Sequence, residues 1–466
     1  MKKRNWLFIL VLVLFSMFEF LPLNAHAIDN SPAWSFTKFD FSPAGARARG
    51  FGGAFVGLAN DATAALINPA GLAQLPKKQF ALELSSMNSY SEDRPWIKDT
   101  TGTVDIDSYT GVSFCSFSLP IFDNLYGSIF YNKLAQQDST TFLPDAGVIA
   151  DFKANTHLSI SEYGISGATE FGNGRFQVGA GISLVYLDLD NQVNSTQYQS
   201  IESVSPTSEI FYSSAGDNGI AYRIGGLWKA NENLQIGISA NIYPTLDFRT
   251  EINDRFVSLS DLYTDSLDGI IDNPLETLTL DDELNIPDIF AVGLSYQLGD
   301  NWIFSFETKY TQYSQIKISG ISPSSFRETA FQNGTMAPWG QVYLESTPDD
   351  YEFEDAWSWH FGCEYLSSIK GIPLAIRLGG YFEQAHAMKY TGKESDYETS
   401  DLDNSDLPYA YDGMATRLGD LLDGGDDIWH FTPGIGVVFA NSYQIDLSID
   451  LSEEQDECLL SLVYQF

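Results

Sequence analysis

Positive charge is scarce in this chain of 466 residues: 25 lysines and arginines stand against 62 aspartates and glutamates, a formal charge of −37 at neutral pH. A surface of that sign repels nucleic acid, so no nucleic-acid partner is expected. Cysteine is almost absent. Cys115, Cys363 and Cys458 are odd in number, widely spaced and each inside a strand-like segment, which argues against a disulfide framework. No cysteine closely follows the N-terminal apolar run, which argues against a lipid anchor. Of the five histidines, His26 lies in the leader, and His157, His360, His386 and His430 show no zinc spacing. The acidic clusters at Asp349, Asp350, Glu352, Glu354 and Asp355, and at Asp423, Asp426 and Asp427, do not match a calcium-binding loop. No metal and no cofactor are therefore expected. No serine, histidine and acid stand at a nucleophilic motif spacing, so the chain is read as not an enzyme.

Long apolar runs are missing too, with one exception at the start. Residues 1–27 carry Lys2, Lys3 and Arg4, an apolar run from Trp6 to Phe18, and Ala25-His26-Ala27 as a small-x-small cleavage site. This is the pattern of a secretory signal peptide, and Glu19 cuts the run short of the roughly 20 residues that a membrane helix needs. No later run is comparable. If the rest resides in a membrane it must do so as a closed barrel, because only helices and barrels satisfy every backbone group in lipid.

What is present is alternation. Tyr443 to Leu451, YQIDLSIDL, places apolar residues at every odd number and polar ones at every even number. Period two means a strand with two unlike faces. Segments of this kind recur from Gln79 to the end, near 79–87, 109–119, 125–134, 157–171, 175–189, 218–229, 234–247, 288–298, 302–313, 355–366, 372–384, 430–440, 443–452 and 456–466, an even count of fourteen. Their connections alternate between tight turns such as Gly172-Asn173-Gly174 and long loops at 88–108, 135–156, 190–217, 248–287, 314–354 and 385–429. Tight turns at one end and long loops at the other are the rhythm of an outer-membrane barrel. The apolar phases are rich in Trp302, Phe304, Phe306, Trp357, Trp359 and Phe361, as interfacial girdles require. The chain ends on Phe466, in phase with Cys458, Leu460, Leu462 and Tyr464, like the C-terminal signal read by barrel-insertion machinery. The expected fold is all-β, a 14-stranded antiparallel transmembrane β-barrel over 79–466 in the outer membrane, in contact with its lipid and lipopolysaccharide.

A ring of this size is too wide for wall side chains to fill, and residues 28–78 are the candidate plug. Asp61 to Ile67 favours a short helix capped by Asn60 or Asp61 that stops before Pro69. Asn68-Pro69-Ala70-Gly71 fits a type I turn, and Gly50, Gly52 and Gly53 permit close approach to the wall.

The stretch GARARGFGGAFVGLANDATAALINPAGLA resembles the N-terminal hatch of the FadL family of outer-membrane transporters, whose hatch carries a recurrent Asn-Pro-Ala, here Asn68, Pro69 and Ala70. Ile286 to Ser314 resembles a strand pair of that family that opens with a proline and ends in an aromatic-rich stretch. The resemblance implies a passive transporter of long-chain fatty acids or other hydrophobic compounds. Ligand is caught between outer loops, passes to an apolar pocket, and leaves sideways through the wall. Related barrels serve secretion, so a docking or structural role without uptake is the alternative.

Within loop 248–287, Leu262, Leu267, Ile270 and Ile271 fall at helical spacing and could form a capture groove or merely pack on a neighbouring loop. A fatty acid carboxylate favours a cationic partner, and Arg223 and Arg377 lie on the polar phase of their strands. Pairing with lumenal acids is the other role open to these two arginines.

Overall fold

The computed structural model describes residue 41 and residues 44–89, 92–95, 101–106, 108–143, 149–197, 207–256, 277–316, 351–391, 423–453 and 455–466. Its strands are β1 (Gln79–Ser89), β2 (Glu92–Pro95), β3 (Thr101–Ile106), β4 (Tyr109–Phe122), β5 (Leu125–Leu143), β6 (Ile149–Phe171), β7 (Phe176–Gln197), β8 (Thr207–Lys229), β9 (Leu234–Ile242) and β10 (Thr245–Phe256). They continue as β11 (Thr277–Asn285), β12 (Ile289–Leu298), β13 (Trp302–Thr311), β14 (Tyr351–Glu352), β15 (Ala356–Ile369), β16 (Ile372–Glu383), β17 (Lys389–Tyr390), β18 (Ile428–Phe439), β19 (Tyr443–Leu451) and β20 (Gln455–Gln465). Neighbours in the wall pair antiparallel, and β1 closes the ring on β20 from Gln79↔Gln465 to Ser89↔Gln455, giving a closed barrel of 14 strands. In that ring β9 with β10 counts as one interrupted strand, and β11 with β12 as another. The β2–β3 hairpin extends the wall through pairing of β3 with β5, and β14 pairs with β17 apart from it.

The two faces settle which solvent each side meets. In β19 Tyr443, Ile445, Leu447, Ile449 and Leu451 are exposed on the outside, while Asp446, Ser448 and Asp450 are buried inside. Trp302 and Phe304 likewise face out against Ser305 and Glu307, and Trp357 and Phe361 against Ser358, His360 and Glu364. Apolar outside and polar inside is the inverse of a soluble sandwich and the pattern of a barrel in lipid. Among the described residues no helix is long and apolar enough to cross a membrane.

Tight turns use left-handed backbone where the hairpins demand it, at Gly172, Asn173 and Gly174, at Lys370 and Gly371, and at Ala440 and Asn441. The strands β5 to β8 are longer than their alternation predicts, at 19, 23, 22 and 23 residues. Part of the expected loops 135–156 and 190–217 is therefore strand, as are the two ends of 248–287. On the outward face of β7 the apolar series Ile182, Leu184, Tyr186 gives way to exposed Asp188 and Asp190. Beyond that level no lipid requires an apolar face, so the alternation fades while the backbone ladder continues.

Residues 44–75 lie against the inner wall and are almost wholly buried. They form α1 (Ala46–Gly50), α2 (Ala64–Ile67) and a 3-10 turn (Pro69–Gln74). α2 stops at Ile67 because Asn68, before Pro69, is extended at φ −152°. Asp61 closes the turn entering α2, its Oδ1 accepting from the Thr63 amide at 3.0 Å and the Thr63 hydroxyl at 2.6 Å.

Candidate functional site

The N-terminal segment is seated by backbone contact with wall glycines. A Cβ at Gly179 in β7 would lie 2.4 Å from the Ala70 nitrogen, at Gly225 in β8 2.0 Å from Asn68 Oδ1, and at Gly237 in β9 2.2 Å from the Val56 oxygen. Gly362 in β15 and Gly379 in β16 would meet Phe51 and Gly52 at 2.3 and 2.1 Å. A methyl group cannot occupy such spaces, so the wall sequence is cut to fit this segment. Asn68 fixes the motif. Its Nδ2 donates to the Val56 oxygen at 2.9 Å and to the Gly226 oxygen at 3.3 Å, and its Oδ1 accepts from the Ala70 amide at 3.2 Å. The expected turn is present, with the Gly71 amide donating to the Asn68 oxygen at 2.9 Å.

Two arginines of α1 tie the segment to the wall. Arg49 donates to Asp450 at 2.8 Å and Glu457 at 2.6 Å. Arg47 reaches Glu364 at 3.3 Å and Asp61 at 3.3 Å. Burial works against the charge on Arg47, but Glu364 and Asp61 more than offset it, and its pKa is raised. On the facing wall the Glu307 carboxylate accepts from the Val56 and Phe55 amides, and His360 Nδ1 lies 2.6 Å from the Gly52 oxygen.

Past this polar seat, the inner face turns apolar. Leu158, Ile160, Leu187, Leu189, Leu246 and Phe248 form one buried cluster, with Tyr313 inside it and Phe41 and Tyr243 packed against it. The interior of a water-filled porin is polar, and this part of the inner face departs from that pattern.

The wall beside it is interrupted. β4 and β5 pair from Phe122↔Leu125 to Phe114↔Asn132 and then separate. Among the described residues no ladder joins Tyr109–Ser113 to Lys133–Asp138, and β5 regains a partner on that edge at Ser139, which pairs with Ile106 of β3. At the parting an extra residue, Leu134, sits between Lys133 and Ala135 in the register with β6, and both Leu134 and Ala135 join the apolar cluster. A bulge of this kind bends the strand away from its neighbour.

The family described as outer membrane protein transport protein (OMPP1/FadL/TodX) matches residues 29–389. The chain belongs to that family. Among solved structures it is similar to the Ralstonia pickettii toluene transporter TbuX, at 14% identity and TM-score 0.58, over 92% of this chain and 100% of that one. It is similar to the P. putida toluene transporter TodX, at 14% identity and TM-score 0.58, over 92% and 99%. A Pseudomonas aeruginosa FadL homologue gives 13% identity and TM-score 0.56, over 90% and 97%. At such identities these three share the fold. No curated protein matches. The protein is thus an outer-membrane barrel of a transport-protein family.

Within this OMPP1/FadL/TodX barrel the residues singled out by sequence fall in separate places. Asn68, Pro69 and Ala70 meet the wall at β7 and β8, and Gly50, Gly52 and Gly53 meet or adjoin β15, β16 and β18. Only Gly52 and Gly53 of those three glycines adopt positive φ. Both wall arginines are held by acids: Arg223 donates to the two Glu162 oxygens at 2.6 Å each, and Arg377 to Glu364 at 2.6 Å and Asp446 at 2.7 Å. Leu262, Leu267, Ile270 and Ile271 lie outside the described residues. Sequence reasoning passed over Arg47, Arg49, Glu307 and Lys309. Charged residues on the lumenal phase beside aromatic outward neighbours were the available signal for the last two.

Proposed function

We propose that residues 28–78 act as the hatch of this transporter, and that long-chain fatty acids and other hydrophobic compounds enter the apolar interior and leave sideways between β4 and β5. The interruption at Leu134 carries the reading. A seat built from glycines, buried ion pairs and Asn68 holds the hatch against the wall, so passage straight through the ring meets a plug. The gap beside Leu134 instead joins the apolar cluster to the lipid side without displacing that seat. An apolar solute gains about 25 cal/mol for each Å² removed from water in the cluster, and keeps that gain, without adding to it, on passing into hydrocarbon.

Arg223 and Arg377 already neutralise buried carboxylates, so freeing either for a ligand would strand an acid in the interior. Lys309 is the better partner for a fatty acid headgroup. It lies on the lumenal phase of β13 between buried Glu307 and Thr311, is half-buried, and has no ion pair or hydrogen bond among the described residues.

The test is uptake of labelled toluene and labelled oleate by cells expressing the protein. Deleting Leu134 removes the bulge while keeping the faces of β5 in phase, so β4 and β5 can zip together and uptake of both probes falls. Lys309→Met lowers oleate uptake and spares toluene. A correctly inserted barrel that takes up neither probe supports the docking role instead.

A further inference from the structure

The wall has a second interruption, on the far edge of the four strands β5 to β8. β8 pairs with β9 up to Tyr222↔Ile242 and with β10 from Ser214↔Arg249. Among the described residues, 215–221 of β8 and 243–248 opposite them share no ladder. Proline explains the break, since Pro244 offers no N–H to either neighbour. The adjoining strand bends at the same level, where Ile286, Pro287 and Asp288 separate β11 from β12.

The amides freed by this bend are not abandoned. The Tyr243 amide donates to Asp288 Oδ1 at 2.8 Å, and the Asp247 amide crosses the gap to Asp217 Oδ2 at 2.8 Å. Gln315 holds Asp288 in turn, its Nε2 donating to Oδ2 at 3.1 Å and its Oε1 accepting from the Asp288 amide at 3.0 Å. Side chains that replace a ladder in this way mark a built feature, because buried backbone groups left unpaired are costly. The direction of the bend is inward. A Cβ on Gly219, whose phase faces the lumen, would lie 2.4 Å from Pro244 Cβ and 3.1 Å from Leu246 Cδ2. Pro244 and Leu246 therefore press on β8 from the lumen side. Ala221 and Leu246, on the two margins, both belong to the apolar cluster, while Ile220 and Tyr222 face lipid.

We propose that this is a second lateral port, serving uncharged hydrocarbon ligands and closed by Pro244 and Leu246 against Gly219. The proposal rests on the lateral-exit reading of the first gap and extends it to both edges of the panel β5 to β8. Leu246 swinging off Gly219 joins the apolar cluster to lipid, and the Asp288–Gln315 clasp keeps the bend in place while it does so.

The experiment removes the closing side chain with Leu246→Ala and keeps its bulk with Leu246→Met, each with Leu134 present and with Leu134 deleted, while Pro244 and Gly219 stay in place. Heat-modifiable migration confirms the folded barrel in every variant. The probe is labelled toluene. With Leu134 deleted, Leu246→Ala is expected to raise uptake severalfold and Leu246→Met to leave it unchanged. Unchanged uptake in Leu246→Ala in both backgrounds overturns the port while leaving the first exit standing. Absence of toluene uptake by the unmodified protein overturns the transport reading and the port together.

Discussion

Glu307 Oε2 accepts the backbone amides of both Phe55 and Val56, at 2.9 and 2.8 Å, so one buried wall carboxylate holds two consecutive amides of the N-terminal segment. Hydrogen bonds to a charged group contribute about 1.5–3 kcal/mol each. Glu307→Ala strands both amides and is expected to erase the slow hydrogen exchange of Phe55 and Val56 while the barrel stays folded. Glu307→Gln keeps an acceptor oxygen and should retain part of that protection. Full protection of both amides in the alanine variant would falsify the anchoring role.

The glycine seat predicts a steep dependence on side-chain size at chosen positions. Gly237→Ala places its Cβ 2.2 Å from the Val56 oxygen, an overlap that neither backbone can relieve cheaply. Overpacking of this kind costs about 1–3 kcal/mol or more. Gly167→Ala meets nothing closer than 3.5 Å and is the matched control. Thermal unfolding in detergent should fall for the first and stay put for the second. Equal midpoints would mean that the segment does not sit where these contacts place it.

Arg223 and Glu162 are both buried and joined at 2.6 Å, with the Arg223 guanidinium 5.2 Å from the Phe130 ring. Removing one partner of such a pair costs about 3–5 kcal/mol, because the other charge is left in the interior, whereas replacing both is far milder. Arg223→Met and Glu162→Gln should each destabilise the barrel, and the double variant should recover much of the loss. Additive losses in a double-mutant cycle would argue that the pair is solvated.

The wall was legible in the sequence because lipid and lumen impose opposite demands on successive residues. Tyr443–Leu451 shows that conflict in nine letters, and its faces lie as the alternation requires. Asn68-Pro69 was legible for a local reason, the exclusion of helix before proline. What joins distant segments was not. Arg49 meets Asp450, 401 positions later, and no periodicity in either neighbourhood announces the pair. The bulge at Leu134 is similarly silent, since one extra apolar residue shows only against the partner strand that it displaces. Arg223 and Glu162 were each visible as polar residues on a strand, but their mutual neutralisation depends on a register that links β6, β7 and β8.

The apolar interior offers the sharpest test of the ligand class. Leu187 is buried on the lumenal phase of β7, between outward-facing Tyr186 and Asp188, so changing it leaves the lipid face untouched. Leu187→Asp sets a carboxylate among Leu158, Ile160 and Leu189, where it draws water into the cluster because an unpaired charge cannot stay dry. Losing the apolar contact of one leucine weakens partition of a hydrocarbon by about 1.5–3 kcal/mol, which is roughly tenfold or more. Toluene uptake is therefore expected to fall at least severalfold, and single-channel conductance to small ions to rise as the interior hydrates. Leu187→Met, nearly equal in volume and still apolar, should preserve both readouts. If the aspartate variant takes up toluene at the original rate with an unchanged conductance, hydrocarbons do not travel through this cluster.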